Sequence, residues 1–154
     1  MMLSYLSGGS GGGWLEFGGH ETLLSYGINA MHLHAASAHQ RNAIIQSHIP
    51  NEHIEFLDGL PLLLSLPGVV FVHAGLRPNV PLEQQREDDL LWIRDEFFQA
   101  APIKGRLVVH GHTPASSVVM APGRICVDTG AFATGRLSAV RLTQHGSPQI
   151  IDTI

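Results

Sequence analysis

The sequence predicts an α/β (α+β) layered sandwich. Two observations favour this class. Helical patterns dominate the first part of the chain, and several short strand patterns follow one another after residue 105. Helices, one strand, another helix and then several strands suit a layered sandwich better than regular βαβ repeats. With 154 residues, of which 44% are hydrophobic, the chain is long enough for a core, so we expect a single domain over residues 1–154.

Helix start and stop signals predict three helices. Ser37 is expected to cap a helix that Pro50 stops, and Asn51 to cap a second one. A third is expected to begin at Asp88 or Asp89. The apolar positions of these helices are Ile44, Ile45, Ile54, Phe56, Leu57, Leu60, Leu90, Leu91, Ile93, Phe97 and Phe98.

Strand patterns begin at Gly68. The run Val69–Val72 is apolar without alternation, which is typical of a strand buried on both faces. Further strands are expected over Arg106–His110, Arg124–Asp128, Leu137–Leu142 and Gln149–Ile151. Near the N-terminus, Ser7–Gly13 has the composition of a flexible linker, and Trp14 follows where a phosphate-binding loop would need lysine and a hydroxyl residue.

Composition excludes several function classes. The formal charge is −4, with Lys104 as the single lysine, so the chain lacks the basic footprint of a nucleic-acid binder. Cys126 is the only cysteine, which excludes an internal disulfide and a cysteine-based zinc cluster. The most apolar stretch, Leu60–Val72, is interrupted by two prolines and is too short to span a membrane. No signal peptide is visible, and a cytoplasmic protein is the simplest interpretation.

Two histidines follow predicted strands directly. His73 comes after Val69–Val72, and His112 comes after the strand that ends in His110 and Gly111. Ligand and catalytic residues of α/β sheets gather at the carboxyl ends of strands. A glycine near each histidine, Gly75 or Gly111, would let the backbone bend or approach a bound group. Imidazole is the commonest protein metal ligand, so both histidines are candidate ligands.

The other histidines are weighed against these two. His110 and His112 could also form a metal pair, because residues i and i+2 of a strand share a face. Histidines in polar or helical contexts are more often surface or core residues than ligands. Those are His20, His32, His34, His39, His48, His53 and His145.

Five segments carry more specific motifs: Trp14–Gly27, Val70–Pro78, Leu90–Arg94, Val108–Pro114, and Arg124–Ala131 with Gly135–Leu137. In this order they resemble the phosphoprotein phosphatase branch of the calcineurin-like metallophosphoesterase superfamily, which includes the small bacterial serine/threonine protein phosphatases. The segments at His73 and His112 are similar to the fourth and last metal motifs of that branch. The segment ending at Arg94 resembles its tryptophan-arginine segment.

The resemblance implies roles for three residues. His73 and His112 match histidine metal ligands, and Arg94 matches an arginine that contacts the substrate phosphate. The complete enzyme would use two divalent ions, with manganese, iron and zinc as candidates. His110 stands where the family has no obligatory ligand.

Three early motifs of the family are absent: Asp-x-His-Gly, Gly-Asp-x-x-Asp-Arg-Gly and Gly-Asn-His-Glu. Gly18–Glu21 imitates the third, but Gly19 replaces the ligand asparagine. The resemblance therefore implies a partial metallophosphoesterase fold without its N-terminal strands, with an exposed sheet edge. Two imidazoles cannot fill the coordination shells of two ions, so we expect this chain alone to be inactive.

These observations leave several functions open. The leading hypothesis is a metal-dependent hydrolase of phosphoserine and phosphothreonine, with a phosphorylated protein or a small phosphoester as substrate and a missing N-terminal half as a partner. Hydrolysis of dinucleoside tetraphosphates by the same fold is an alternative. A non-catalytic module that binds a partner through a sheet edge is another. A protein with an incidental zinc site at His110 and His112 would leave Arg94 unexplained.

Overall fold

The computed structural model describes residues 1–9, 11–144 and 146–153. The chain packs into two compact units, Met1–Leu60 and Pro61–Ile154. The expectation of one domain over residues 1–154 stays a prediction. Ser10 of the linker-like segment and His145 lie outside the described residues.

The first unit is helical. Its core contains Leu23, Leu33 and Ile49, which are almost completely buried, together with the buried Trp14. Its elements are α1 (Met2–Leu6), a 3-10 helix (Gly11–Phe17), α2 (Gly19–Ser25), α3 (Ala30–Ala35), α4 (Ala38–His48) and α5 (Asn51–Asp58). The end of the expected linker thus belongs to a 3-10 helix.

One of the two predicted caps in this unit is confirmed. Ser37 begins α4 with a capping box, in which its hydroxyl accepts from the backbone N–H of Gln40 and the Gln40 side chain accepts from the N–H of Ser37. The cap at Asn51 is wrong, because Asn51 is already the first residue of α5 and Pro50 precedes it as N-cap. The ring of Pro50 fixes its φ angle, which is −58°. Because proline has no polar side chain, α5 begins without a side-chain cap.

The second unit is built on a mixed five-stranded sheet in the order β1-β2-β3-β5-β4. Strands β2, β3 and β5 are neighbours and run parallel, while β1 and β4 pair antiparallel at the two edges. The strands are β1 (Leu63–Leu66), β2 (Val69–Val72), β3 (Leu107–His110), β4 (Val119–Ala121) and β5 (Arg124–Cys126). A separate antiparallel pair is formed by β6 (Ser138–Arg141) and β7 (Gln149–Asp152).

The main core cluster of this unit lies on one face of the sheet, while Val109 and Ile125 are buried on the opposite face. Val70 and Val108 are register partners in β2 and β3 and are 0% and 1% exposed. Val69 and Phe71 alternate with the buried residues of β2 and are only half-buried, so the expected burial on both faces is incomplete. Both faces of an all-parallel sheet are usually covered by helices. This sheet has antiparallel strands at its edges, and one of its faces is less covered.

Two short helices cover that core face where the sequence predicted one. They are α6 (Glu87–Trp92) and α7 (Asp95–Phe98), and a small 3-10 helix (Leu82–Gln84) precedes them. The chain leaves α6 at Ile93, whose ψ of 143° is extended, and Arg94 caps α7 with its carbonyl. Ile93, before the break, and Phe97, after it, both pack into the core of this unit.

Strand β1 lies at one edge of the sheet. Within the described residues it pairs with β2 alone, so its outer edge is open. Leu64 and Leu66 are 50% and 47% exposed on it. A final short helix, α8 (Ala131–Thr134), follows β5. In the described part of the chain, no helix is long and apolar enough to cross a membrane.

Candidate functional site

The site lies where three adjacent parallel strands end. His73 follows β2, His112 follows β3 by two residues, and Asp128 follows β5 by two residues. Because β2, β3 and β5 are neighbours, their carboxyl ends meet at one edge of the sheet. Backbone bonds continue the pairing past the strands: the N–H of Gly111 donates to the carbonyl of His73 at 2.9 Å, and the N–H of Val127 donates to that of His110 at 2.9 Å.

The structure brings His73 and His112 together although they are 39 residues apart in sequence. The Nε2 of His73 lies 3.1 Å from the Nδ1 of His112. The ring centroids are 5.0 Å apart with planes at 62°. The indole of Trp92 also meets the His112 ring edge-on, with centroids 5.5 Å apart. His112 is therefore in contact with both an imidazole and an indole.

The backbone of His112 is in the left-handed region, with a φ of 67°. The sequence suggested that Gly111 would make this bend, but Gly111 does not have a positive φ. Histidine is among the residues that tolerate this region best, yet any Cβ there is unfavourable. Strain of this kind is found where the surrounding structure fixes a functional side chain.

Burial of the two imidazoles favours their neutral form. Partial burial lowers the pKa of His73, and the nearby carboxylate of Asp128 opposes this. Burial also lowers the pKa of His112; the charges of His73 and Arg94 lower it further, and Asp128 again opposes. Neutral imidazole is the form that binds metal ions, so the environment keeps both rings ready for ligation.

A divalent ion fits the pair. Two nitrogens that are each about 2.0–2.1 Å from one ion lie about 2.9–3.4 Å apart, from a right-angle to a tetrahedral arrangement. The 3.1 Å between His73 and His112 falls in this range. Without an ion, one ring must donate an N–H to the other. The Nε2 of His112 is buried with no partner among the described residues, so neither arrangement satisfies it.

His110 does not belong to this site. Its side chain is 2% exposed and packs on the core face, where its ring meets those of Phe97 and Phe98 with centroids at 5.0 and 5.8 Å. Its Nδ1 is 3.2 Å from the carbonyl of Gly111, and burial lowers its pKa. The alternative metal pair of His110 and His112 is therefore wrong.

Arg94 lies close enough to His112 for its positive charge to lower the pKa of that ring. The residue is exposed at the break between α6 and α7. In the described part of the chain, Arg94 forms no ion pair with Asp95 or Glu96, and Glu96 approaches Arg77 at 4.0 Å. Phosphate binding by Arg94 stays a prediction.

Asp128 was not predicted as a site residue. Its Oδ1 accepts from the N–H of Gly130 at 2.9 Å, and its carbonyl accepts from the N–H of Ala115 at 3.0 Å. The rule that found the two histidines would also have found it, because it ends a strand predicted as Arg124–Asp128. Within the described residues, no group of three histidine, cysteine or acidic side chains is placed to hold one ion.

The remaining described histidines lie elsewhere. His53 bonds through its Nδ1 to the hydroxyl of Tyr26 at 2.8 Å, and His48 contacts the hydroxyl of Ser47 at 2.9 Å. His20, His32, His34 and His39 are exposed on helices of the first unit. None of them belongs to the strand-end site.

Comparison with known proteins gives a likeness to a solved structure. No protein-family model matches the chain, and no curated protein matches it. Among solved structures, it is similar to the crystal structure of "a putative diadenosine tetraphosphatase", with a TM-score of 0.57 and 25% identity. The match covers 72% of this chain and 59% of the other, so this chain spans little more than half of that protein. The mixed α/β fold agrees with the predicted partial metallophosphoesterase fold.

Proposed function

We propose that this chain supplies the histidine-bearing part of a metal-dependent phosphoester hydrolase. The observation that carries the proposal is the convergence of the His73 Nε2 and the His112 Nδ1 to 3.1 Å at the carboxyl ends of adjacent parallel strands. Arg94 stands beside the pair with a charge that suits a phosphate. The fold likeness to a protein named as a tetraphosphatase supports the same broad chemistry.

The roles of these residues follow from their chemistry. His73 and His112 would hold one ion through the two converging nitrogens. When bound, divalent ions polarise a phosphoryl group and provide a water with a lowered pKa. The guanidinium of Arg94 would bind two phosphate oxygens in its planar fork and offset the charge that develops during transfer.

Two substrate classes have support. The name of the structural neighbour favours a dinucleoside tetraphosphate. The order of the five sequence motifs favours phosphoserine and phosphothreonine in proteins. Both are phosphoesters or phosphoanhydrides with non-bridging oxygens that an arginine can bind, and the described site does not discriminate between them. We place the tetraphosphate first, because a fold comparison supports it.

The ligands that two imidazoles cannot supply must come from elsewhere. We propose that a segment or a separate chain carrying Asp-x-His-Gly, Gly-Asp-x-x-Asp-Arg-Gly and Gly-Asn-His-Glu completes the site. Manganese, iron and zinc all suit imidazole and carboxylate donors in such a centre. An activity assay of this chain with and without that segment therefore tests the function.

The assay uses diadenosine tetraphosphate, a phosphoserine peptide and p-nitrophenyl phosphate with Mn²⁺. We expect no turnover from this chain alone. We expect turnover near or above about 1 per second when the N-terminal half of the similar solved protein is fused to it. Metal-dependent turnover of that size by the isolated chain would contradict the proposal. So would a fusion protein whose turnover is unchanged by His73→Ala.

The same fusion protein tests Arg94. Arg94→Ala should lower turnover about 10²–10³-fold while metal content stays the same. Arg86→Ala is the matched control, because the Arg86 side chain is 78% exposed and only 3.9 Å from Asp88 in a surface ion pair. Turnover equal in the two variants would show that Arg94 is an ordinary surface arginine.

A further inference from the structure

Asp128 is the third side chain at the strand-end site, and its surroundings point to more than a structural role. It lies two residues beyond β5, just as His112 lies two residues beyond β3, and these two strands are paired in the sheet. Its backbone carbonyl accepts from Ala115, which belongs to the loop that follows His112. Asp128 thereby ties the loop after β3 to the turn after β5.

Within the described residues, one oxygen of the Asp128 carboxylate accepts a hydrogen bond and the other does not. Oδ1 accepts from the N–H of Gly130, and this bond closes the turn that begins α8. Oδ2 makes no hydrogen bond within the described part of the chain, and it faces Gly111, where a Cβ would lie 3.8 Å from it. Gly111 is the residue before His112, so the free oxygen lies along the backbone that carries this histidine.

The negative charge of Asp128 lies close enough to both imidazoles to act on them: it raises the pKa of His73 and of His112, against the effect of burial. No other carboxylate acts on both rings in the described residues. A negative charge beside two neutral ligands would offset part of the charge of a divalent ion. Asp128 does not complete a three-ligand group with the histidines, so it would act from outside the coordination shell.

We propose that Asp128 is a positioning residue for the ion held by His73 and His112: its carboxylate closes the turn after β5, to which the loop of His112 is tied, and supplies the negative charge that their nitrogens lack. This inference rests on the proposed function. The groups around metal ligands typically contribute about 10–100-fold to metal affinity.

Zinc binding to the 154-residue chain, measured by calorimetry with Zn²⁺, tests the role without an activity assay. Asp128→Asn keeps an oxygen acceptor for the N–H of Gly130 and removes the charge. We expect it to weaken Zn²⁺ binding about 10-fold or more and to leave the urea midpoint of unfolding unchanged. Asp128→Ala should lose both affinity and stability, since it also removes the turn bond.

Two controls separate the possible failures. Asp88→Asn removes one negative charge from a side chain that is 81% exposed, and it should bind Zn²⁺ like the wild type. His73→Ala/His112→Ala should remove the site. If Asp128→Asn binds Zn²⁺ as the wild type does while the double variant does not bind, the role of Asp128 is refuted and the histidine site stands. If the double variant binds Zn²⁺ as tightly as the wild type, the proposed site itself is wrong.

Discussion

Gly75→Ala should destabilise the second unit, because the loop after His73 packs directly on α7. A Cβ at position 75 would lie 2.5 and 2.6 Å from two ring atoms of Phe97 and 3.0 Å from a methyl group of Ile93. Phe97 and Ile93 are 6% and 5% exposed. The Phe97 ring is also in contact with His110, which opposes its movement in that direction.

The magnitude follows from the size of the overlap. Inserting one methyl group into a well-packed core costs about 1–3 kcal/mol. Gly111→Ala is the matched control, because its Cβ would meet Asp128 at an ordinary 3.4 Å. Neither glycine has a positive φ, so backbone strain does not enter. Alanine in place of glycine also stabilises by about 0.4–1 kcal/mol through the unfolded chain, but this gain is common to both variants, so they should differ by the overlap cost of about 1–3 kcal/mol.

Urea unfolding followed by far-UV circular dichroism measures this difference. Phe97→Leu, introduced alone and together with Gly75→Ala, shows whether the overlap with the ring is the cause. The smaller side chain should recover part of the lost stability, which appears as a coupling energy between the two sites. Equal stability of Gly75→Ala and Gly111→Ala, or strict additivity with Phe97→Leu, would refute the reasoning.

Three further predictions concern the histidines and the cysteine. His112→Gly should be more stable than His112→Ala by about 1–2 kcal/mol in urea unfolding, because a Cβ is unfavourable at a positive φ; equal midpoints would contradict this. Burial lowers the pKa of His110 in the folded protein, so the unfolded protein binds this proton at a higher pH than the folded protein does. The free energy of unfolding should therefore fall as the pH drops below about 6.5, by up to about 1.4 kcal/mol per pH unit for this group. His110→Phe should reduce that loss and the exposed His39→Ala should not, as denaturation at pH 7.5 and 5.5 would show. Burial raises the pKa of the Cys126 thiol, so Ellman's reagent should modify the native protein far more slowly than the protein in urea; equal rates would contradict the burial.

The strand-end positions of His73 and His112 could be predicted from sequence because they depend on local patterns. An apolar run predicts a buried strand, and the residue after it lies at the carboxyl edge. The same reasoning failed for His110, where the rule that residues i and i+2 share a face was applied across a strand end. Strand β3 stops at His110, and the left-handed backbone at His112 turns the second ring out of the strand's alternation.

Other features depend on tertiary packing and have weak sequence signals. Strand β1 has neither strict alternation nor β-branched residues, and its leucines also fit the end of the preceding helix. Strand β4 has three residues, too few for a period to be recognised. On either side of the break at Arg94, Ile93 and Phe97 both pack against Gly75, and that contact joins residues that are distant in sequence.

The backbone around the histidine pair is already fixed by bonds that need no metal. Gly111 donates to His73, Val127 donates to His110, and Ala115 donates to Asp128, so each loop after a parallel strand is tied to its neighbour. An ion entering between His73 and His112 would not have to order these loops, and little conformational entropy would oppose its binding. The affinity of the proposed His73–His112 site for an ion should therefore be limited by its small number of ligands. A segment that adds carboxylate ligands would strengthen ion binding without refolding these loops.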